Sequence, residues 1–387
     1  NLSNSGILIA TGIQGTLSTN SSQIVINDAN GSWSDLNPGQ SLNSSNGFNI
    51  SVSNDIINGS QFILDLLLEN SEGYSRVKSY TITVGTLSDD DPMGPDQYGY
   101  YIYDSGDNNY ELSPTYDWIE IDQIGTNLNL SNSGNGNWSG NGPIANINLP
   151  FDFTFYGISY DEITVCTNGW ISPGYSSMES FRNYQIPGAG GPSPMIAAFW
   201  DDMKTTSSGD VFYKIIDIGP NQQSVVIEWS DMRTYDNNSE EDFQVILYPN
   251  PNSETGDGDI KIQYKTFNNT SDGYYPEGGT PTHGCYATIG IENKYGNEGL
   301  QYTYNNQYPV AAMPLFNNKA ILITTQLPDF GILGDINSDE LLNVLDVVLL
   351  VNMALNGVYD EAGDMNQDGI INVLDVVTLV NIVLGNV

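Results

Sequence analysis

The sequence predicts a mainly β protein that closes with a small helical module, and three observations predict it. Apolar residues alternate with polar ones at period two through most of the chain, the pattern of strands with one buried face. Clusters of Gly, Asn, Ser and Asp punctuate these runs where turns are needed. The last 59 residues carry an internal duplication at a spacing of 29 residues, each copy an oxygen-rich loop followed by an apolar helical stretch. Together they define an incomplete sandwich over 1–85, a large antiparallel sandwich or jelly-roll-like domain over 86–328, and a two-loop helical module over 329–387.

In the first part, Phe48, Ile50 and Val52, then Phe62, Leu64, Leu66 and Leu68, then Tyr80, Ile82 and Val84 recur with period two. Asn43-Ser44-Ser45-Asn46-Gly47 and Asn58-Gly59-Ser60 supply turn chemistry between them. This fits an immunoglobulin-like sandwich, which needs about seven strands and about 100 residues, whereas five or six strands fit into these 85. Asn4-Ser5-Gly6 followed by Ala10-Thr11-Gly12-Ile13 resembles the sandwich modules of large secreted bacterial peptidases and subtilases, with the first strands missing. A sandwich lacking strands exposes an edge and an apolar slot that a strand of another chain would complete. A smaller, self-sufficient sandwich is the alternative.

Asp89-Asp90-Asp91-Pro92-Met93-Gly94-Pro95-Asp96 marks the boundary to the middle part. About twelve strand-like runs follow, among them 147–155, 163–166, 211–217, 225–229, 243–247, 260–264, 286–291 and 321–325, with no helical period between them. Phe153-Thr154-Phe155-Tyr156-Gly157, Thr167-Asn168-Gly169-Trp170-Ile171, Met195-Ile196-Ala197-Ala198-Phe199-Trp200-Asp201-Asp202 and Gly290-Ile291-Glu292-Asn293 resemble the β-rich region downstream of the catalytic domain in gingipain-like cysteine peptidases and related surface proteins. That resemblance implies a secreted, non-catalytic β region.

The duplicated segments run Gly334-Asp335-Ile336-Asn337-Ser338-Asp339-Glu340-Leu341-Leu342-Asn343-Val344-Leu345-Asp346 and Gly363-Asp364-Met365-Asn366-Gln367-Asp368-Gly369-Ile370-Ile371-Asn372-Val373-Leu374-Asp375. Oxygen-bearing side chains fall at loop positions 1, 3, 5, 9 and 12, the spacing that wraps a hard cation. With Asp at position 12, a helix after each loop and none before it, residues 332–385 resemble a type I dockerin. The resemblance implies two Ca2+ sites, one from Asp335, Asn337, Asp339, the Leu341 carbonyl, Asn343 and Asp346, the other from Asp364, Asn366, Asp368, the Ile370 carbonyl, Asn372 and Asp375. Position 9 is expected to act through water. Glu340 stands where the loop turn favours glycine, which makes the first site the weaker. The positions at which dockerins select cohesins hold Val344-Leu345 and Val373-Leu374, and no Lys or Arg follows Lys319, so a conventional cohesin is disfavoured.

Composition narrows the function classes. The chain has 47 Asp and Glu against 10 Lys and Arg, a formal charge of -37, which excludes a phosphate backbone as partner. No apolar run is long enough to span a bilayer, and the sequence begins at Asn1 without an initiator Met or a targeting segment. These features point to an extracellular or cell-surface chain processed from a secreted precursor. In that compartment Cys166 and Cys285 are expected to form a disulfide, two buried thiols being the alternative. Asn20, Asn30, Asn43, Asn49, Asn58, Asn129 and Asn137 head glycosylation sequons.

Further candidates are weaker. Clustered carboxylates repel unless a cation or solvent relieves them, so Asp89, Asp90, Asp91 and Asp96, or Asp104 with Asp107, form a possible additional cation site. His283 two positions from Cys285 invites a nucleophilic pair, and Glu228 beside Trp229 or Asp201-Asp202 after Trp200 invites glycosidase chemistry, but no catalytic signature accompanies them. Tyr98-Gly99-Tyr100-Tyr101-Ile102-Tyr103 suits sugar stacking, an interface or a core. The expectation is a non-catalytic, calcium-binding structural protein that assembles with itself, as a filament or surface layer, or with another surface protein. Alternatives are the non-catalytic tail of a secreted peptidase or polysaccharide-degrading enzyme docked to a scaffold, and a carbohydrate-binding adhesin.

Overall fold

The computed structural model describes residues 1–21, 23–52, 56–219, 222–250, 253, 255–273, 283–326, 333–337, 341–366 and 369–384. The chain is mainly β, with antiparallel sheets throughout and two short helices near its C-terminus. It divides into two compact units, Asn1–Ser88 and Asp89–Val387.

The first unit contains β1 (Leu2–Ser3), β2 (Ile13–Ser18), β3 (Ile24–Asp28), β4 (Asn30–Trp33), β5 (Ser41–Leu42), β6 (Asn49–Val52), β7 (Gln61–Glu69) and β8 (Ser75–Thr83). A four-stranded sheet runs β4-β2-β7-β8, beside the pairs β3-β6 and β1-β5. The alternation in β2 buries Ile13, Gly15 and Leu17 and exposes the residues between. Leu17 meets Ile24, Leu64 and Leu66 in a core that Phe48, Ile50, Phe62 and Ile82 flank. The period in β8 does not bury a face: along its nine residues only Ile82 is sheltered, because β8 pairs with β7 alone and the two strands of β3-β6 do not reach over it.

The second unit contains β9 (Tyr101–Asp104), β10 (Thr126–Asn127), β11 (Ile144–Phe155), β12 (Ile158–Cys166), β13 (Trp170–Pro173), β14 (Met195–Trp200), β15 (Met203–Lys204), β16 (Asp210–Gly219), β17 (Gln222–Thr234), β18 (Glu240–Tyr248), β19 (Asp259–Thr266), β20 (Thr288–Glu292), β21 (Gly299–Thr303) and β22 (Lys319–Thr324). One sheet has the order β10-β16-β17-β18-β19-β22-β9 with β15 attached to β17, and the other the order β11-β12-β13-β14-β20-β21. The predicted runs fall on these elements, 286–291 starting two residues before β20 and 321–325 ending one residue past β22, and the near-continuous apolar runs 225–229 and 195–200 are buried on both sides.

Side chains join the two sheets. Trp229 of β17 stacks on Phe243 at 4.9 Å between ring centroids, and its Nε1 donates to the Cys166 carbonyl of β12 at 2.9 Å. Phe199 of β14 stacks on the same Phe243 at 5.5 Å, and Tyr264 Oη donates to the Ala198 carbonyl at 2.8 Å. Each fully buried aromatic removes about 150–250 Å2 from water, on the order of 4–6 kcal/mol before entropy is counted. The turn from β12 to β13 needs Gly169: its φ is +76°, and a Cβ there would stand 1.9 Å from the Phe199 carbonyl oxygen.

The helices are α1 (Val344–Asn356) and α2 (Val373–Val383), with a single 3-10 turn, Glu361–Gly363, between them. Both begin immediately after an asparagine, Asn343 and Asn372. Leu350 and Leu379 pack with Met365 and Ile371 into a small core.

The expected disulfide is absent, which corrects the reading of the cysteines: Cys166 and Cys285 are free. Cys166 is sealed among Trp170, Ile186, Met195, Ala197 and Trp200. Burial pushes its thiol up to about 12. Cys285 is half-buried, on a segment whose backbone N–H is held by Asn305 at 2.7 Å.

Candidate functional site

The two loops of the duplication fold alike because their sequences place the same groups at the same helix starts. Asn343 is the N-cap of α1 with φ -146° and ψ -174°, and Asn372 that of α2 with φ -148° and ψ -170°. Each accepts from the backbone of the residue two positions on at 2.8 Å, and the aspartate at N3 returns a bond to the cap, forming a capping box. Position 12 therefore serves the helix as well as the loop. Asp346 Oδ2 accepts from Asn343 N–H at 2.9 Å, while its Oδ1 accepts from Ile336 N–H at 3.0 Å and Asn337 N–H at 3.3 Å, tying the loop's end to its beginning. Asp375 repeats this with Asn372 at 2.8 Å and Asn366 at 3.3 Å.

Position 1 is also enclosed. Asp335 and Asp364 are buried, and Asp364 Oδ2 accepts from Gly369 N–H at 2.7 Å. Gly369 has φ +81°, the left-handed conformation expected at position 6. Position 9 differs from expectation: the Asn343 amide donates to the Leu341 carbonyl at 3.0 Å and its oxygen caps the helix, so this side chain faces the backbone. Asp339, Glu340 and Asp368 lie outside the described residues. The donor set in each loop is oxygen alone, with neither sulfur nor imidazole, and four buried aspartates occur in a segment that holds no Lys or Arg. Such a set suits a hard divalent cation.

The helices carry apolar residues on two sides. Val347, Leu350, Met353 and Ala354 of α1 face the small core, whereas Val344, Val348, Val351 and Leu355 form a second stripe at helical spacing that is exposed, Leu355 by 79%. In α2 and its cap, Val373, Val377 and Leu384 repeat that stripe at the 29-residue spacing, with Leu384 66% exposed.

The acidic hinge is split by a short hairpin. Met93 and Ile102 exchange backbone hydrogen bonds at 2.8 and 2.9 Å, which sets Asp91 opposite Asp104 and leaves Asp96 at the other end, five residues away. Asp96 is engaged there by the N–H groups of Tyr98, Gly99 and Tyr100 and by the Tyr156 hydroxyl at 2.7 Å. The predicted set Asp89, Asp90, Asp91 and Asp96 is therefore not one site. Asp91 instead joins the alternative pair, Asp104 and Asp107. Asp104 is satisfied by Gly106 N–H, Tyr302 Oη and Met313 N–H. Burial, then the charges of Asp104, Asp91 and Asp90, push Asp107 up to about 8.

The tyrosine run is core: Tyr100, Tyr101 and Tyr103 are buried, and Tyr98 and Tyr100 both donate to Asp257, at 2.6 and 3.1 Å. Glu228 is buried, accepting from Ile121 N–H at 3.1 Å and Gln244 Nε2 at 2.9 Å. Burial pushes Glu228 up to about 8, and the charge of the neighbouring Glu120, which pairs with Lys265 at 2.8 Å, adds to that shift. Cys285 and His283 do not form an activated pair. Burial pushes His283 down to about 4, Asn183 Oδ1 holds its Nδ1, and burial with Asp272 and Asp201 raises the Cys285 thiol. Asp231, Glu240 and Asp242 converge within 4.8 Å, but Arg233 pairs Glu240 at 2.7 Å and Asp242 accepts from Asp231 N–H at 2.8 Å. The seven sequon asparagines are all exposed.

Asp236, Ser271, Asn183, Glu120 and Asp257 were not distinguishable in sequence, because the partner of each lies tens of residues away. The second unit is thus a β-rich scaffold of two large antiparallel sheets stocked with buried carboxylates, followed by a duplicated loop-helix segment. A family model described as "NIDO related" matches residues 109–325, more than half of the chain, and the chain belongs to that family. The duplicated loops lie outside that match. No curated protein and no solved structure matches the chain.

Proposed function

We propose that this chain is a non-catalytic, extracellular, calcium-binding structural protein that assembles with copies of itself into a filament or surface layer. The observation that carries the reading is the duplicated apolar stripe, Val344, Val348, Val351 and Leu355 echoed by Val373, Val377 and Leu384, left exposed although the module has a core of its own. Exposed apolar surface repeated at the 29-residue spacing offers like faces to a like partner, and its proposed occupant is the same module of a second copy. On this reading residues 332–385 are a dockerin-like module whose two Ca2+ ions hold the stripes in place, with another copy in the role of a cohesin.

The first unit supports a second contact. It reads as an incomplete immunoglobulin-like sandwich whose edge strand β8 offers a nine-residue unpaired row. Arg76 and Lys78 on β8 are the only bases of that unit, so an incoming strand is acidic, as segments of a chain with 47 acids are. The NIDO-related unit acts as the sandwich-like scaffold between these contacts. The burial of Glu228 under Ile121 N–H and Gln244 and the unactivated Cys285 favour a non-catalytic role.

The test is size-exclusion chromatography with light scattering of the full chain in Ca2+ and in chelator, alongside Val348→Asp/Val377→Asp. Higher-order species in Ca2+ that the chelator or the double substitution disperses are expected. A monomer under every condition overturns the proposal.

A further inference from the structure

Away from the duplicated loops, a pair of carboxylates in the second unit has no account. Asp201 follows β14 and is fully buried, and Asp236 follows β17. Asp201 Oδ1 accepts from Asp202 N–H at 2.7 Å, and Asp236 Oδ2 from Asp272 N–H at 3.1 Å. The other oxygen of each, Asp201 Oδ2 and Asp236 Oδ1, is buried with no hydrogen-bond partner. Tyr235 N–H donates to the Asp202 carbonyl at 2.8 Å, which brings the two chain segments together; Asp201 feels the charge of Asp236, and the Ser271 hydroxyl lies close enough to favour the ionised form of each.

That hydroxyl has one proton, so it can donate to only one of them and turns a lone pair to the other. Among the described residues no Lys or Arg forms an ion pair with either carboxylate. His283 Nδ1 stands 3.9 Å from Asp201 Oδ1, but burial keeps the ring neutral, and the strongest charges on Asp201 are those of Asp236 and Asp202. Burial raises both carboxyls, Asp201 more strongly. A proton on Asp201 Oδ2 would leave that O–H without an acceptor in place of an oxygen without a donor. One group between the two orphaned oxygens satisfies both if it is positively charged, since carboxylates that share a cation at about 2.3–2.6 Å need not touch each other.

We propose that Asp201 Oδ2, Asp236 Oδ1 and the Ser271 hydroxyl bind a divalent hard cation, Ca2+, inside the NIDO-related unit. The ion joins the end of β14, the end of β17 and the segment that precedes β20. It is independent of the calcium sites proposed for the C-terminal module.

The experiment counts Ca2+ per chain by metal analysis after dialysis against Ca2+ alone, in the natural chain and four variants. If both proposals hold, the natural chain carries three ions, Asp335→Ala/Asp364→Ala at least one, and Asp201→Asn/Asp236→Asn one fewer than the natural chain. Terbium luminescence excited through tryptophan, with Trp200 adjoining the site, persists in the tail variant and falls in the core variant. Where the double core variant does not fold, the less buried Asp236→Asn alone supplies the comparison. A tail variant holding no ion, or one that keeps the same count once Asp236→Asn is added to it, overturns the core site. A natural chain with a single ion that only the core substitutions remove overturns the tail sites and leaves the core site standing.

Discussion

Replacing Leu379 by Ala tests how the small C-terminal module is held together. Leu379 is fully buried, packs against Leu350, Met365 and Ile371, and has its Cδ1 2.5 Å from where a Cβ on Gly334 would lie, so nothing can move in to fill the space it leaves. Truncating such a leucine costs about 2–5 kcal/mol, with the poor prospects for collapse favouring the upper half. Four fully or nearly fully buried apolar residues make a core too small to absorb that loss. If each loop holds Ca2+ at 100 times its dissociation constant, binding contributes about 2.7 kcal/mol per site. The substitution and the removal of two ions are therefore of similar size. Far-ultraviolet circular dichroism in Ca2+ should show Leu379→Ala close to the natural helix signal, and chelator should abolish that signal in the variant while weakening it less in the natural chain. A variant equally helical with and without Ca2+ would refute the reasoning, because the module would then be stable without its ions.

Two further outcomes follow from the second unit. Asp107 is pushed up to about 8 from 3.8, chiefly by burial, so the folded state holds its proton more tightly than the unfolded chain. Its contribution to stability is then complete below about pH 4 and is lost as pH rises toward 8; Asp107→Asn should gain on the natural chain by a few kcal/mol between urea midpoints at pH 5 and pH 8, and an equal difference at both would sink the argument. Native thiol labelling should modify Cys285 and spare Cys166 until the protein unfolds, since one is half-buried and the other sealed; no reactive thiol in the unfolded chain until a reductant is added would instead establish the disulfide.

Period two was sufficient to locate β7, β11 and β16 to β19, because each keeps one face or both against a large core. It misled at β8, where alternation is as regular as in β7 but no layer covers it; a strand's own sequence does not say whether the opposite sheet extends that far. The loop spacing identified Asp335, Asp346, Asp364 and Asp375 as enclosed carboxylates, since cation loops are local in sequence. It missed the second task of Asn343 and Asn372, as an asparagine before an apolar helix is equally a cap. The Asp201 and Asp236 pair was beyond reach, because β14 and β17 belong to different sheets and only their packing brings the two aspartates near Ser271.

The acidity of the chain takes on a specific form in the fold. Among the described residues, fourteen carboxylates are buried and no lysine or arginine is, so their charge must be met by something other than ion pairing in the core. Burial raises Asp104 and Glu292, and the N–H and hydroxyl donors that cage each of them oppose that shift. Glu228 and Asp107 are pushed toward retaining a proton. Asp201 has neither remedy in full, and it and the aspartates of the two loops are the groups assigned to cations. These three modes separate experimentally: caged carboxylates respond little to neutral pH or to chelation, proton-holding ones respond to pH alone, and cation-bound ones to chelator. A molecule whose stability changed with pH between 5 and 8 but not with chelator would place the whole of the buried charge in the first two classes, and would remove the physical basis for calcium in both the module and the scaffold.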